Sequence, residues 1–225
     1  DIVFSDVNPE TGLMEERHFE EALERCKSLR IKAVFPVHLT GHCTDTAAIK
    51  KIAEQKEIRI VLDACHALGG VQDGFPIGSC HYEDMATFSF HPVKTITMGE
   101  GGAITTNSES LAEKMRCLRH HGMKQKPDHG PWYHEMPELG YNYRATDFQC
   151  ALGLMQLQKL NRFVEKRQKL ATYYDELLKP LAPIVQTPLK DKNTKTGLHL
   201  YAVRIDFETL GTVSYTHLRA HETAY

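Results

Sequence analysis

The chain has 225 residues, of which 41% are hydrophobic and 25% are charged, a composition typical of ordinary globular proteins. Its 27 basic and 29 acidic side chains leave a formal net charge of −2, so charge predicts neither a nucleic-acid nor a membrane partner. The six cysteines are scattered without a Cys-x-x-Cys pair, which favours reduced thiols in a cytoplasmic protein over a disulfide scaffold. No apolar stretch approaches the roughly 20 residues that a membrane helix needs.

Strand and helix patterns alternate along the first part of the chain. The predicted strands cover residues 2–4, 33–37 and 58–62, and the predicted helices cover residues 18–29 and a segment starting at Thr44 or Asp45. Such alternation favours a mainly parallel sheet with helices crossing over it. Ligands of such sheets bind beyond the carboxyl ends of the strands, which is where Asp63 stands.

The later elements are less regular. The pattern predicts strands at residues 85–90, 103–106 and 199–205, a helix from residues 107–110, and a long helix from Asp147 with a break before Leu177. Residues 120–144 show little periodicity, and so long a loop is usually functional or packed against a partner.

The same pattern predicts the domain organisation. Residues 1–180 form a large domain, and Pro180 and Pro183 end its long last helix. Residues 181–211 begin a small α+β domain. Residues 212–225 have the composition of a non-native tail and are excluded from the fold interpretation. The chain begins inside a strand-like run without a methionine, so we expect a fragment of a longer protein.

Three residues in a fixed order indicate a cofactor chemistry. Asp63 ends a predicted strand, Ser89 ends another, and Lys94 follows five residues later, as the printed numbering shows. An enzyme that holds pyridoxal phosphate (PLP) needs an acid for the pyridine nitrogen, a hydroxyl for the phosphate and a lysine for the Schiff base. Each residue alone is commonplace, since most lysines are surface residues and aspartates often form turns. The combination predicts a PLP enzyme.

Neighbouring residues leave alternatives open. His66 either reaches the phenolic oxygen of the cofactor ring or is a structural histidine, and His91 either faces the substrate or packs. Gly99, Gly101 and Gly102 allow a tight turn beside a cofactor, although a plain hairpin has the same pattern.

A metal site is the competing interpretation. His38, His42 and Cys43 stand close together in the sequence, but 13 histidines in one chain produce such groups by chance. A structural zinc site usually needs four converging ligands at tighter spacing, so no metal site is predicted. The absence of a basic face likewise speaks against nucleic-acid binding.

At these residues the chain resembles the DegT/DnrJ/EryC1/StrS sugar aminotransferases, PLP enzymes of the aspartate aminotransferase fold type I. That resemblance implies an α/β fold with a mainly parallel sheet flanked by helices. The matching motifs are residues 37–41, 63–66, 89–94, 100–102 and 140–144 within a stretch from Ile2 to Gly211. The combination is specific to the family.

The resemblance implies a role for each site residue. Asp63 pairs with the pyridine nitrogen, His66 lies by the ring where many relatives have Gln, Ser89 binds the phosphate, and Lys94 carries the Schiff base. Asn142 matches an asparagine that family members donate to the phosphate of the neighbouring subunit's cofactor. A homodimer with shared active sites is therefore expected.

The implied reaction moves an amino group from L-glutamate to a nucleotide-linked 4-keto-6-deoxy sugar, for surface polysaccharide or flagellin glycan biosynthesis. His66 and residues 199–207 are most similar to members of the pseudaminic acid pathway, which use a UDP-linked keto sugar. Two alternatives stay open. Related PLP sugar dehydratases carry histidine in place of Lys94, and a truncated chain lacking part of the phosphate site can be catalytically inert.

Overall fold

The computed structural model describes residues 2–190 and 194–211. The predicted tail, residues 212–225, lies outside the described residues. The α-helices are α1 (Glu16–Arg25), α2 (Thr46–Gln55), α3 (Glu109–Arg119), α4 (Asp147–Leu157) and α5 (Leu160–Leu178). The strands are β1 (Ala33–Val34), β2 (Arg59–Asp63), β3 (Val71–Gln72), β4 (Phe75–Pro76), β5 (Met85–Ser89), β6 (Gly102–Thr105), β7 (Lys124–Gln125), β8 (His134–Glu135), β9 (Val185–Gln186), β10 (Thr194–Lys195) and β11 (Arg204–Ile205).

The largest sheet in the described part of the chain has four strands in the order β1-β2-β5-β6. The pairs β1–β2 and β2–β5 are parallel, with Leu62 opposite Ala86, whereas β5 and β6 are antiparallel. Helix α2 lies between β1 and β2 in sequence, whereas the connection from β2 to β5, all of it described, contains the antiparallel strands β3 and β4 and no helix. This arrangement confirms the predicted α/β fold, with an antiparallel strand at one edge of a mainly parallel sheet.

The core forms where β2 meets the helices of the first part of the chain. Ile60 and Leu62 alternate along β2 and are almost fully buried, as the period of a strand requires. The carboxylate of Asp45 caps α2 by accepting from the Ala48 N–H at 2.9 Å, and Ile49 of that helix is fully buried. Helix α2 therefore starts where the sequence predicted and covers the sheet.

Two predicted strands differ from the structure. Residues 2–4 lie outside any strand, and Ile2 and Phe4 are exposed. The predicted strand 199–205 is reduced to Arg204–Ile205, which pairs with β9. An apolar run indicates burial, but a strand also needs backbone groups beside it to bond with, and short runs do not specify those.

The last two large helices confirm the predicted break, since α4 ends at Leu157 and α5 begins at Leu160. No residue of α4 is buried, and Phe148 and Leu154 are among its most exposed side chains. The stretch 120–144 is mostly irregular, as predicted, with one short ribbon formed by β7 and β8. None of the described helices combines the length and the apolar character that crossing a bilayer requires.

Candidate active site

Asp63 lies at the carboxyl end of β2, at the sheet edge where the parallel strand β5 also ends. Its N–H donates to the Pro36 carbonyl at 2.9 Å, and its carbonyl accepts from the His38 N–H at 3.0 Å. The N–H of Cys65 donates to Asp63 Oδ1 at 3.0 Å. These bonds hold both the backbone and the carboxylate of Asp63 in one orientation.

Lys94 sits in the turn that follows β5. Ser89 ends that strand, and its Oγ accepts a hydrogen bond from the His91 N–H at 3.4 Å. The N–H of Lys94 donates to the His91 carbonyl at 3.0 Å, so the chain folds back beside the strand end. Gly102 pairs with Ser89 from β6, and a Cβ there would come within 2.6 Å of the Phe88 carbonyl oxygen. Only glycine lets β6 approach so closely.

Asp63 and Lys94 both lie close enough to His66 to influence its pKa, and the three residues are called the cluster below. Burial and the Lys94 ammonium lower the pKa of His66, whereas the Asp63 carboxylate raises it. Burial and Asp63 raise the pKa of the neighbouring Cys65 thiol to about 11, with Thr87 and Lys94 opposing the rise. At neutral pH, Cys65 is therefore an uncharged thiol. The structure brings together the acid, the histidine and the lysine that the sequence predicted.

His199 is a member of this cluster that sequence reasoning missed as a site residue. Its ring centroid lies 4.6 Å from that of His66, with the two planes inclined by 43°. Burial, His66, Lys94 and Arg167 together lower the pKa of His199 to about 4, so the ring is neutral at physiological pH. Nothing local in the sequence marks this histidine, because it reaches the cluster from a segment that follows α5.

His38 lies behind Asp63, fully buried within the described structure. Its Nδ1 accepts a hydrogen bond from the Thr44 N–H at 3.2 Å. Burial lowers the pKa of His38 to about 4, although Asp63 partly opposes that effect. The histidine that the sequence offered as a metal-ligand candidate is thus a neutral part of the scaffold that supports Asp63.

Two other sequence candidates lie apart from this cluster. His91 is exposed, and its Nε2 lies 3.8 Å from a carboxylate oxygen of Glu100. Asn142 is exposed, accepts from Arg144 Nε at 3.4 Å and forms an isolated bridge with His120. These contacts do not reach Asp63, His66 or Lys94. Within residues 2–190 and 194–211, no three His, Cys, Asp or Glu side chains are placed to share a metal ion.

The coupling in the cluster makes a direct prediction. Replacing Lys94 by methionine keeps an unbranched side chain but removes the cation, so charging either imidazole becomes easier. We expect the pKa values of His66 and His199 to rise, which an NMR titration of the cofactor-free protein measures. Lys51→Met, an exposed change on α2, is the matched control and should leave both values unchanged. If the pKa values of His66 and His199 did not change in Lys94→Met, Lys94 would not lie near these two histidines.

The residues of the cluster fit PLP. The cofactor carries an aldehyde, a basic ring nitrogen and a phosphate, which call for an amine, a carboxylate and a hydroxyl or N–H donor. Lys94, Asp63 and Ser89 supply these groups at one sheet edge, and the neutral His66 lies among them. Lys94 and Asp63 are both partly accessible rather than fully buried, so a small molecule can reach them.

Comparison with known proteins gives a consistent result. The profile of the DegT/DnrJ/EryC1/StrS aminotransferase family matches residues 1–221. The chain is 37% identical over 202 residues to a UDP-4-amino-4,6-dideoxy-N-acetyl-beta-L-altrosamine transaminase of Campylobacter jejuni, covering 90% of this chain and 52% of that protein. It is 38% identical over 183 residues to a GDP-perosamine synthase of Caulobacter vibrioides, covering 81% of this chain and 47% of that protein.

A solved structure agrees in fold. Helicobacter pylori PseC, an aminotransferase involved in the biosynthesis of pseudoaminic acid, superimposes with a TM-score of 0.83 at 30% identity. The match covers 96% of this chain and 57% of that one. The chain thus spans about half the length of the curated relatives it matches.

Proposed function

The chain belongs to the DegT/DnrJ/EryC1/StrS aminotransferase family, and from that membership we propose that the protein transfers an amino group from L-glutamate to a nucleotide-linked 4-keto-6-deoxy sugar. Enzymes of this family are PLP-dependent sugar aminotransferases. The observation that carries the proposal is the grouping of Asp63, His66 and Lys94 at the carboxyl edge of the central sheet.

We assign one task to each residue that would hold the cofactor. Asp63 would bind the ring nitrogen, His66 would lie beside the ring, Ser89 would bind the phosphate, and Lys94 would bond to the aldehyde carbon. When bound, PLP supplies a carbonyl that exchanges with amines and a ring that accepts the electron pair of a broken C–H bond. The hydrogen bonds of Asp63 to Pro36, His38 and Cys65 keep its carboxylate aligned for this pairing.

Lys94 also moves the protons in the reaction that we propose. Once glutamate has displaced Lys94 from the aldehyde carbon, the freed Nζ would take the proton from Cα of glutamate. The amino group would stay on the cofactor, and water would supply the keto oxygen of 2-oxoglutarate. In the second half of the reaction, the same nitrogen would deliver a proton to C4 of the sugar, whose carbonyl would become CH–NH₂ while its oxygen leaves as water. The neutral imidazoles of His66 and His199 add no positive charge beside this amine.

A UDP-linked sugar of the pseudaminic acid pathway is the substrate that we favour, in the biosynthesis of a surface polysaccharide or flagellin glycan. The Campylobacter transaminase and the Helicobacter structure support this choice. The chain has a comparable identity to a GDP-perosamine synthase, so the experiment below compares UDP- and GDP-linked sugars. We place the reaction in the cytoplasm, which agrees with the reduced thiols that the scattered cysteines predict.

We further propose a homodimer in which Asn142 of one protomer serves the cofactor phosphate of the other. Asn142 is exposed and flanked by Tyr141 and Tyr143, whose rings stack at 4.8 Å and are themselves exposed. Helix α4 follows directly with its uncovered apolar side chains. An exposed apolar surface of this kind favours a protein interface.

We also propose that the chain contains two domains. Residues 1–180 form the large cofactor-binding domain, and residues 181–211 begin the small domain. The end of α5 at Leu178 supports this boundary.

Product analysis of the intact protein tests the reaction. With ¹⁵N-glutamate and a UDP-linked 4-keto-6-deoxy sugar, we expect the label in the sugar and an equal amount of 2-oxoglutarate. The GDP-linked counterpart, assayed in parallel, should react more slowly. A deoxygenated sugar without the label would instead identify a PLP dehydratase, the alternative that Lys94 argues against. No product with either sugar, together with no change in the PLP spectrum on titration, would indicate an inert chain.

A further inference from the structure

The segment that carries His199 packs directly on the loop beside the candidate site. The N–H groups of His199 and Leu200 both donate to the carbonyl of Thr40, at 2.9 and 3.1 Å. A Cβ on Gly41 would lie 2.6 Å from the Leu198 nitrogen and 2.9 Å from the His66 carbonyl oxygen. Three backbone segments therefore meet at Gly41, and only a glycine fits between them.

Thr40 is hydrogen-bonded both to the His199 segment and to His66. Its φ of 60° is in the left-handed region, which costs a non-glycine residue roughly 1–3 kcal/mol. In that conformation its carbonyl accepts the two bonds from the His199 segment, and its N–H donates to His66 Nδ1 at 3.2 Å. The strained residue thus links the His199 segment to one specific nitrogen of His66.

That bond selects a tautomer. A neutral imidazole carries one proton, and an Nδ1 that accepts a hydrogen bond has none, so the proton of His66 is on Nε2. The ring of His199, at 4.6 Å and 43°, limits how the His66 ring can turn. The backbone bond fixes which nitrogen donates, and the ring contact fixes where that nitrogen lies.

Helix α5 anchors the same segment from the other side. Arg167 Nη1 donates to the carbonyls of Leu198 and His199, at 3.3 and 3.0 Å. Gly197 approaches the loop after His66 so closely that a Cβ would lie 2.7 Å from the Leu68 carbonyl oxygen. Backbone contacts on both sides therefore fix the position of His199 relative to His66.

We propose that His199 is a positioning residue for His66, whose ring it holds as an Nε2–H donor beside Lys94. The role belongs to the shape of the His199 ring, since its Nδ1 is buried without a hydrogen-bond partner in the described structure. An aromatic ring of similar width should therefore replace it, and a small side chain should not. The consequence for the cofactor rests on the proposed function, whereas the effect on His66 does not.

Two substitutions and one matched control test this role in the intact protein. In cofactor-free protein, ¹⁵N NMR reports which nitrogen of His66 is protonated. We expect His199→Phe to retain the Nε2–H tautomer. In His199→Ala the His66 ring should be free to turn away from the Thr40 N–H, which should give a mixture of both tautomers. Leu200→Ala, which truncates the exposed neighbour but keeps its backbone bond to Thr40, should behave as wild type.

The affinity for PLP provides the second measurement. His199→Ala should weaken PLP binding by about 2- to 12-fold, the range for losing one aromatic pair, and His199→Phe should not. A His199→Ala protein with the wild-type tautomer, or a His199→Phe protein as perturbed as His199→Ala, would overturn the proposal. If wild type itself binds no PLP, the proposed function fails, while the tautomer measurement still decides the role of His199.

Discussion

Replacing Lys94 by alanine is expected to abolish amino transfer. The substitution removes both the amine that bonds to the cofactor and the base that carries the proton. Loss of a positioned proton carrier alone slows reactions about 10²–10⁴-fold, so the rate should fall by at least this factor. Lys94 is partly exposed in a turn, and its hydrogen bond to His91 uses only the backbone, so the fold should persist.

Two measurements check this result. The rate of 2-oxoglutarate formation should fall, and borohydride treatment should fix the cofactor onto the Lys94 peptide of wild type but not of the variant. Lys51→Ala is the matched control, because Lys51 is an exposed lysine on α2 and should leave the activity unchanged. A Lys94→Ala protein that still transaminates would refute the assignment.

Asp63→Asn is expected to have the second largest effect. The amide keeps the shape of the side chain and can still accept the Cys65 N–H through its oxygen. It cannot stabilise a positive charge on a ring nitrogen as a carboxylate does. We expect a loss of about 10²–10³-fold in rate, the range for removing one preorganised electrostatic contact.

A second measurement separates this effect from misfolding. The Asp63 carboxylate raises the pKa values of His66 and His38, because a nearby anion favours the charged imidazolium. Asp63→Asn should therefore lower both values further in the NMR titration. Asp73→Asn, at an exposed turn with a φ of 51° that asparagine tolerates, is the matched control. Full activity in Asp63→Asn would show that the Asp63 carboxylate does not have the proposed role at the ring nitrogen.

Helix α4 has exposed apolar side chains along its length. Its exposed apolar side chains favour a protein interface on this helix, and Asn142 lies shortly before it in sequence. We propose that the loop 120–144 and this helix form the contact with the second subunit. The dimer remains a proposal that the oligomeric state in solution decides.

Much of the fold follows from local patterns in the sequence. The cap at Asp45, the break between α4 and α5, and the strands at β2 and β5 were all predicted, because periodicity and capping act over a few neighbouring residues. The strands predicted at 2–4 and over most of 199–205 were wrong, because strand formation depends on partners that lie elsewhere in the chain.

The sequence by itself predicted which residues gather at the carboxyl ends of the parallel strands. Asp63 and Ser89 are the last residues of two neighbouring parallel strands, and Lys94 follows the second strand, so their places in the chain already predict that they lie at the same end of the sheet. Only the tertiary structure decided the surroundings of that group. His199 reaches His66 through the strained Thr40, because these contacts join segments far apart in the chain and depend on packing that no local pattern encodes.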